Sequence, residues 1–115
     1  MMEYCKLTIG LETYSLEETS EFYTKILGFK SEIMFDLVRL EKDNVLLTFS
    51  EADKGKSISP IVIGLHVDNP LKVYERIKDQ VTIKNDLNQC VHDNGFSIWD
   101  NNGNEVTFYD YSKEK

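Results

Sequence analysis

No apolar run in the 115 residues approaches the roughly 18 needed to cross a bilayer, so no membrane partner is expected. The start, Met1-Met2-Glu3-Tyr4, has neither the basic opening nor the apolar core of a signal peptide; a cytoplasmic protein is the simplest expectation. Lys and Arg are nowhere clustered and the net charge is −7. That argues against nucleic acid, because a phosphate backbone rewards a basic patch. The same balance suits a cationic ligand, or simply solubility. The two cysteines, Cys5 and Cys90, form no C-x-x-C pair and read as reduced thiols. Cys90 and His92 are too near in sequence to face each other as nucleophile and base, and no third group orients them. A phosphate-binding glycine loop, G-x-S-x-G and H-E-x-x-H are all absent. Asp100 to Asn104 resembles a calcium loop only superficially, since its glycine is misplaced and the closing Glu is missing. No cofactor is implied by the motifs.

What the chain does have is a hydrophobic content of 41% and a charged content of 29%, ordinary for one globular domain over residues 1–115. It also has an echo: Ile9-Gly10-Leu11-Glu12 returns as Ile63-Gly64-Leu65-His66. Each copy lies in a strand-like run, Cys5 to Thr13 and Ile61 to Val67, followed by a helix signal. Alternation along a strand gives one face to Ile9 and Leu11, and in the second copy to Ile61, Ile63, Leu65 and Val67. The opposite face receives Thr8, Gly10 and Glu12, and then Val62, Gly64 and His66. A glycine inside a strand often marks close approach by a ligand or another backbone. The expectation is a sheet covered by a helix on one face and open to a cavity on the other.

In order, Ser15 to Leu27 is a predicted helix. Ser15 and Glu18 have capping-box spacing; Leu16, Thr19, Ser20, Phe22, Tyr23, Ile26 and Leu27 form a stripe, and Gly28 offers a left-handed end. Predicted strands follow at 30–35, 37–41 and 45–50, with the polar turn Lys42-Asp43-Asn44 between the last two. The polar stretch from Glu51 to Ser59 reads as a connector ending at Pro60. The second half repeats the order: strand 61–67, then a helix capped by Asn69 with Pro70 in its first position and Val73, Tyr74 and Ile77 inward. Strands are expected near 81–84, 95–100 and 105–111, the last two joined by Asn102-Gly103, both tolerant of positive φ. This is a tandem α+β arrangement of two βαβββ modules, 4–52 and 59–112.

The residues now in hand resemble the vicinal oxygen chelate superfamily of glyoxalases, bleomycin-resistance proteins and extradiol dioxygenases. The likeness lies in Ser20-Glu-Phe22-Tyr23-Thr-Lys-Ile-Leu27-Gly28-Phe29, similar to that family's S-x-x-F-Y-x-x-x-L-G-F helix. It lies also in Gly95-Phe96-Ser-Ile98-Trp99-Asp100-Asn-Asn-Gly103-Asn104, similar to its aromatic strand ending in D-P-D-G-N, with Asn101 where proline is usual. The resemblance implies two curled half-barrel sheets, often paired across a homodimer, with a ligand site in the cleft. It also implies that metal-dependent members carry His, Gln or Glu at positions that here hold Thr8, Thr48 (or its neighbour Leu47), Val62 and Thr107. None of these suits a divalent metal. Glu12 and His66 lie about four residues further on, roughly 13 Å along a strand.

Six residues are therefore candidates for a ligand site: Glu12, His66, Trp99, Glu105, Thr107 and Tyr109. Alternation assigns Phe96, Ile98, Val106 and Phe108 to the core, and Ser97, Trp99, Glu105, Thr107 and Tyr109 to the cavity. An acidic pocket with aromatic walls suits a planar or cationic small molecule. The same residues admit a plainer assignment, with Glu12 and His66 exposed at strand ends, Trp99 in a dimer seam and His92 on a loop surface. The resulting expectation is a metal-independent binder of the bleomycin-resistance type, with no catalytic and no metal-ligating residues. The alternatives are a metal-dependent lyase or dioxygenase of the glyoxalase type, and a non-enzymatic dimeric regulatory module.

Overall fold

The computed structural model describes residues 7–87 and 95–111; Cys5, Cys90 and His92, and the outer ends of both expected modules, lie outside them. The chain divides between Ser59 and Pro60 into two compact units. Each holds one helix and one open four-stranded sheet in which the first strand pairs with the last.

The first unit comprises β1 (Leu7–Thr13), α1 (Leu16–Lys25), β2 (Lys30–Met34), β3 (Leu37–Lys42) and β4 (Val45–Glu51), in sheet order β1-β4-β3-β2. Ser15 begins α1 in extended conformation, and its hydroxyl accepts the Glu18 N–H at 3.2 Å. This satisfies one of the donors that a helix start leaves orphaned. The helix ends at Lys25, two residues before the apolar stripe does, because the chain is already turning into its cap. Gly28 takes φ 76°, and the N–H groups of Gly28 and Phe29 return to the carbonyls of Thr24 and Tyr23. Leu16, Thr19 and Tyr23 are the buried residues of α1; Val38, Leu40, Leu47 and Phe49 form the matching sheet face. Tyr23 is the centre of this core, its ring 5.4 Å from that of Phe49 and 5.7 Å from that of Phe29. Burying side chains of this size contributes about 1.5–3 kcal/mol each.

β2 stops at Met34, one residue short of expectation, because Phe35 turns left-handed with φ 49°. A bulky residue rarely adopts that conformation. The apolar row of β1 is less covered than alternation suggested: Leu7 is 67% and Ile9 40% exposed, since β1 is an edge strand.

The second unit comprises β5 (Val62–Val67), α2 (Pro70–Ile77), β6 (Thr82–Asn85), β7 (Phe96–Trp99) and β8 (Glu105–Asp110), in order β5-β8-β7-β6. Asn69 caps α2 by accepting the Lys72 N–H at 3.2 Å, with Pro70 next. Of the expected inward residues Ile77 is buried, Val73 and Tyr74 are half-buried, and Pro70 joins them. Phe96 and Phe108 face each other across β7 and β8 and stack at 4.7 Å, with Tyr74 edge-on to Phe96 at 5.2 Å. Ile63, Ile98 and Val106 complete the core.

The β7–β8 hairpin corrects one detail: of Asn102 and Gly103, only Gly103 takes positive φ, 83°. The turn is held instead by buried Asp100. Its carboxylate accepts the backbone N–H groups of Asn102 and Asn104, both at 2.8 Å, and the Asn104 side-chain amide at 2.9 Å. Asn104 in turn accepts the Ile61 N–H at 3.0 Å and fixes the entry to β5.

Candidate functional site

Five of the six candidate residues fall on one face of the β5-β8-β7-β6 sheet, opposite the core face. Register sets Val62 beside Glu105 and Glu105 beside Trp99. The next row runs Gly64, Thr107, Ser97, and the third sets His66 beside Tyr109. The rings of His66 and Tyr109 stack at 5.0 Å and 30°, with Tyr111 edge-on to His66 at 6.4 Å. The Tyr109 ring lies directly over Gly64, so the bare backbone of that strand receives an aromatic side chain of the protein itself. Trp99 is 36% exposed, whereas Ser97 and Thr107 are buried.

β6 supplies residues that alternation alone did not reveal. Ile83 faces Ile98 and Asn85 faces Ser97, so one extra residue, Lys84, is inserted between them as a bulge. Bulges re-aim side chains. Here Asn85 donates to the Ser97 hydroxyl at 2.9 Å, while the Lys84 ammonium donates to Glu105 and stands 5.1 Å from the centre of the Trp99 ring. The Thr107 hydroxyl donates to the other Glu105 oxygen at 2.7 Å. The Lys84 bond, then the Thr107 bond, hold the Glu105 carboxyl below its ordinary pKa.

The sixth candidate, Glu12, belongs to the first unit, on the β1 face it shares with Thr8 and Gly10. It also has a lysine: Lys56, from the polar connector, donates to it at 2.7 Å, and this bond is the main reason the Lys56 ammonium is raised above its ordinary pKa. Tyr14 donates to the Lys56 carbonyl and steadies that segment. Both pairings join residues distant in sequence, and neither lysine carried a motif that would have marked it.

Thr8, Thr48, Val62 and Thr107 present hydroxyls and an isopropyl group, and Thr107 is already bonded to Glu105. Among the described residues no three of His, Cys, Asp and Glu gather as a metal would require. These residues do not fit the metal that the resemblance associates with catalysis. Asp100, with its carboxylate committed to the turn, is a hairpin brace. Among the described residues no helix is long and apolar enough to cross a membrane.

Two βαβββ units, each with its first strand parallel to its last, define a glyoxalase-like α+β protein. The family model described as the Glyoxalase/Bleomycin resistance protein/Dioxygenase superfamily matches residues 8–108, and the chain belongs to that superfamily. Among solved structures it is similar to the bleomycin-binding protein of Streptomyces verticillus complexed with copper(II)-bleomycin (TM-score 0.72, 15% identity, 95% of this chain and 98% of that one). It is similar also to TnmS3, an antibiotic binding protein from Streptomyces sp. CB03234 (0.76, 13%, 95% and 97%). A lactoylglutathione lyase from Agrobacterium tumefaciens is a third (0.70, 13%, 92% and 92%). At such identities the likeness establishes the fold. A sequence comparison with curated proteins finds no match.

Proposed function

We propose that the chain binds a small aromatic or cationic molecule without transforming it and without a metal, in the manner of the bleomycin-resistance binders. The ligand would lie on the open face of the second sheet, in a cleft completed by a second copy of the chain. The observation that carries this reading is the row of aromatic side chains on that face: His66 stacked on Tyr109, and the half-exposed ring of Trp99. Flat rings offer contact area at low entropic cost and orient a planar ligand by stacking. One structural relative is a bleomycin-binding protein and another an antibiotic binding protein, which supports the same reading. Glyoxalase-type or dioxygenase-type catalysis is disfavoured by the chemistry of Thr8, Thr48, Val62 and Thr107, which offers neither imidazole nor carboxylate.

Trp99 is the chain's sole tryptophan and reports on the face directly. A screen of planar heteroaromatics and cationic glycopeptides should find ligands that raise the melting temperature and change Trp99 emission. Trp99→Ala should weaken them by about 2 kcal/mol, roughly thirty-fold. A ligand that stabilises the fold, leaves the emission unchanged and keeps its affinity in Trp99→Ala would place the site elsewhere.

A further inference from the structure

We propose that Lys84 sets the ligand class of this face: it occupies the place of an organic cation, and so reserves the sheet for planar ligands that are neutral or anionic. The inference rests on the face being the ligand site. Of the two ligand types proposed above, aromatic or cationic, it keeps the aromatic and sets the cationic aside for this face.

A carboxylate beside an indole ring is the arrangement that recognises aromatic cations, through ion pairing and cation–π attraction together. On this face both partners are already engaged, and by the same side chain. The Lys84 ammonium donates to Glu105 and stands 5.1 Å from the Trp99 ring centre, while Thr107 takes the remaining carboxylate oxygen at 2.7 Å. Glu105 is the better covered partner, its side chain 18% exposed against 33% for that of Lys84. The arrangement is also positioned by the backbone: the bulge at Lys84 adds one residue to β6, and Asn85, bonded to Ser97, fixes the register just beyond it. A ligand cation would have to evict Lys84 and then sit beside the displaced ammonium, against like-charge repulsion. An anionic ligand need not evict Lys84, which can turn one N–H toward it while another stays on Glu105; the Glu105 carboxylate opposes it only from the far side of the ammonium. Glu105, held ionised below its ordinary range by these bonds, keeps the pair balanced at neutral pH. The other candidate acid, Glu12, is matched by Lys56 in the same way.

The test uses two probes with one ring system and opposite charge, 9-aminoacridine as the cation and acridine-9-carboxylate as the anion, titrated into the full chain at neutral pH and followed by Trp99 emission. The wild type should prefer the carboxylate by about tenfold or more. Lys84→Met keeps the stem and removes the charge. It should gain about tenfold for 9-aminoacridine, and the double variant Lys84→Met/Glu105→Gln should lose that gain. Lys84→Arg should keep the wild-type preference. Glu105→Gln, which removes the negative charge beside Lys84 and needs no folding of the Met variant, should bind the carboxylate several-fold tighter. Equal affinity of wild type and Lys84→Met for 9-aminoacridine, with carboxylate binding intact, would overturn the role of Lys84 while leaving the site in place. Failure of both acridines to bind either protein would overturn the site itself, and this inference with it.

Discussion

The ring of Tyr109 rests on Gly64 so closely that a β-carbon at residue 64 would stand 2.8 Å from its Cε2 atom. Gly10, the counterpart in the first unit, has as its nearest such neighbour the Thr48 hydroxyl, at an ordinary 3.7 Å. Gly64→Ala should therefore cost about 1–3 kcal/mol through overpacking. Gly10→Ala should be neutral or stabilising by up to about 1 kcal/mol, because it lowers the entropy of the unfolded chain. Denaturant unfolding of both variants, and of Gly64→Ala combined with Tyr109→Ala, decides the matter. Similar costs at the two glycines, or no recovery in the double variant, would refute the account.

Glu105 predicts a pH dependence with a definite sign. Its carboxyl is held below the ordinary value of 4.5, chiefly by Lys84 and then by Thr107. The stability it contributes is fully present above that ordinary value and is lost as the pH falls through the lower folded-state value. The wild type should therefore lose more stability than Glu105→Gln on acidification below about pH 4.5, and the two should converge once the carboxyl is protonated. Parallel acid-unfolding curves would rule out this linkage.

The donor set at Thr8, Thr48, Val62 and Thr107 leads us to expect no stoichiometric zinc, nickel, iron or manganese in the purified protein, and a melting temperature unmoved by a chelator. Elemental analysis finding about one equivalent per chain would promote the glyoxalase-type alternative.

A homodimer is expected, because β1 is an edge strand carrying Leu7 and Ile9, both exposed, and unpaired apolar edges invite association. Light scattering at micromolar concentration should return twice the 13.4 kDa of one chain. A monomer mass would remove both the dimer and the idea that a second copy completes the cleft.

The order of elements was legible in the sequence because its punctuation is local. The Ser15 cap, the left-handed Gly28, the Asn69-Pro70 start and the Gly103 turn each act within a few residues of themselves. The faces of β7 and β8 were legible as well, since Phe96, Ile98, Val106 and Phe108 alternate without interruption. The lysine partners were not. Lys84 reaches Glu105 and Trp99 only because a bulge breaks the alternation of β6, and Lys56 reaches Glu12 from a connector whose composition is merely polar. The filling of Gly64 by Tyr109 depends on strand register, which no single segment encodes. Phe35 falls inside the expected strand 30–35, whereas the two-residue turn it shares with Asp36 gives it φ 49°.

The pairing of first strand with last gives the protein an order of assembly. Leu7 finds its partner only when Val45 has been made, and Val62 only when Glu105 has. Each closure spans a whole unit, the kind of non-local contact that slows folding, since a long loop must be ordered before any pairing rewards it. During synthesis at roughly 5–20 residues per second, β1 therefore waits for seconds before β4 exists to cover its inner edge. Once Glu51 has emerged, every strand of the first sheet is available while the second is still being translated. The two closures thus become possible in succession as the chain is made, the first before the second strand set exists.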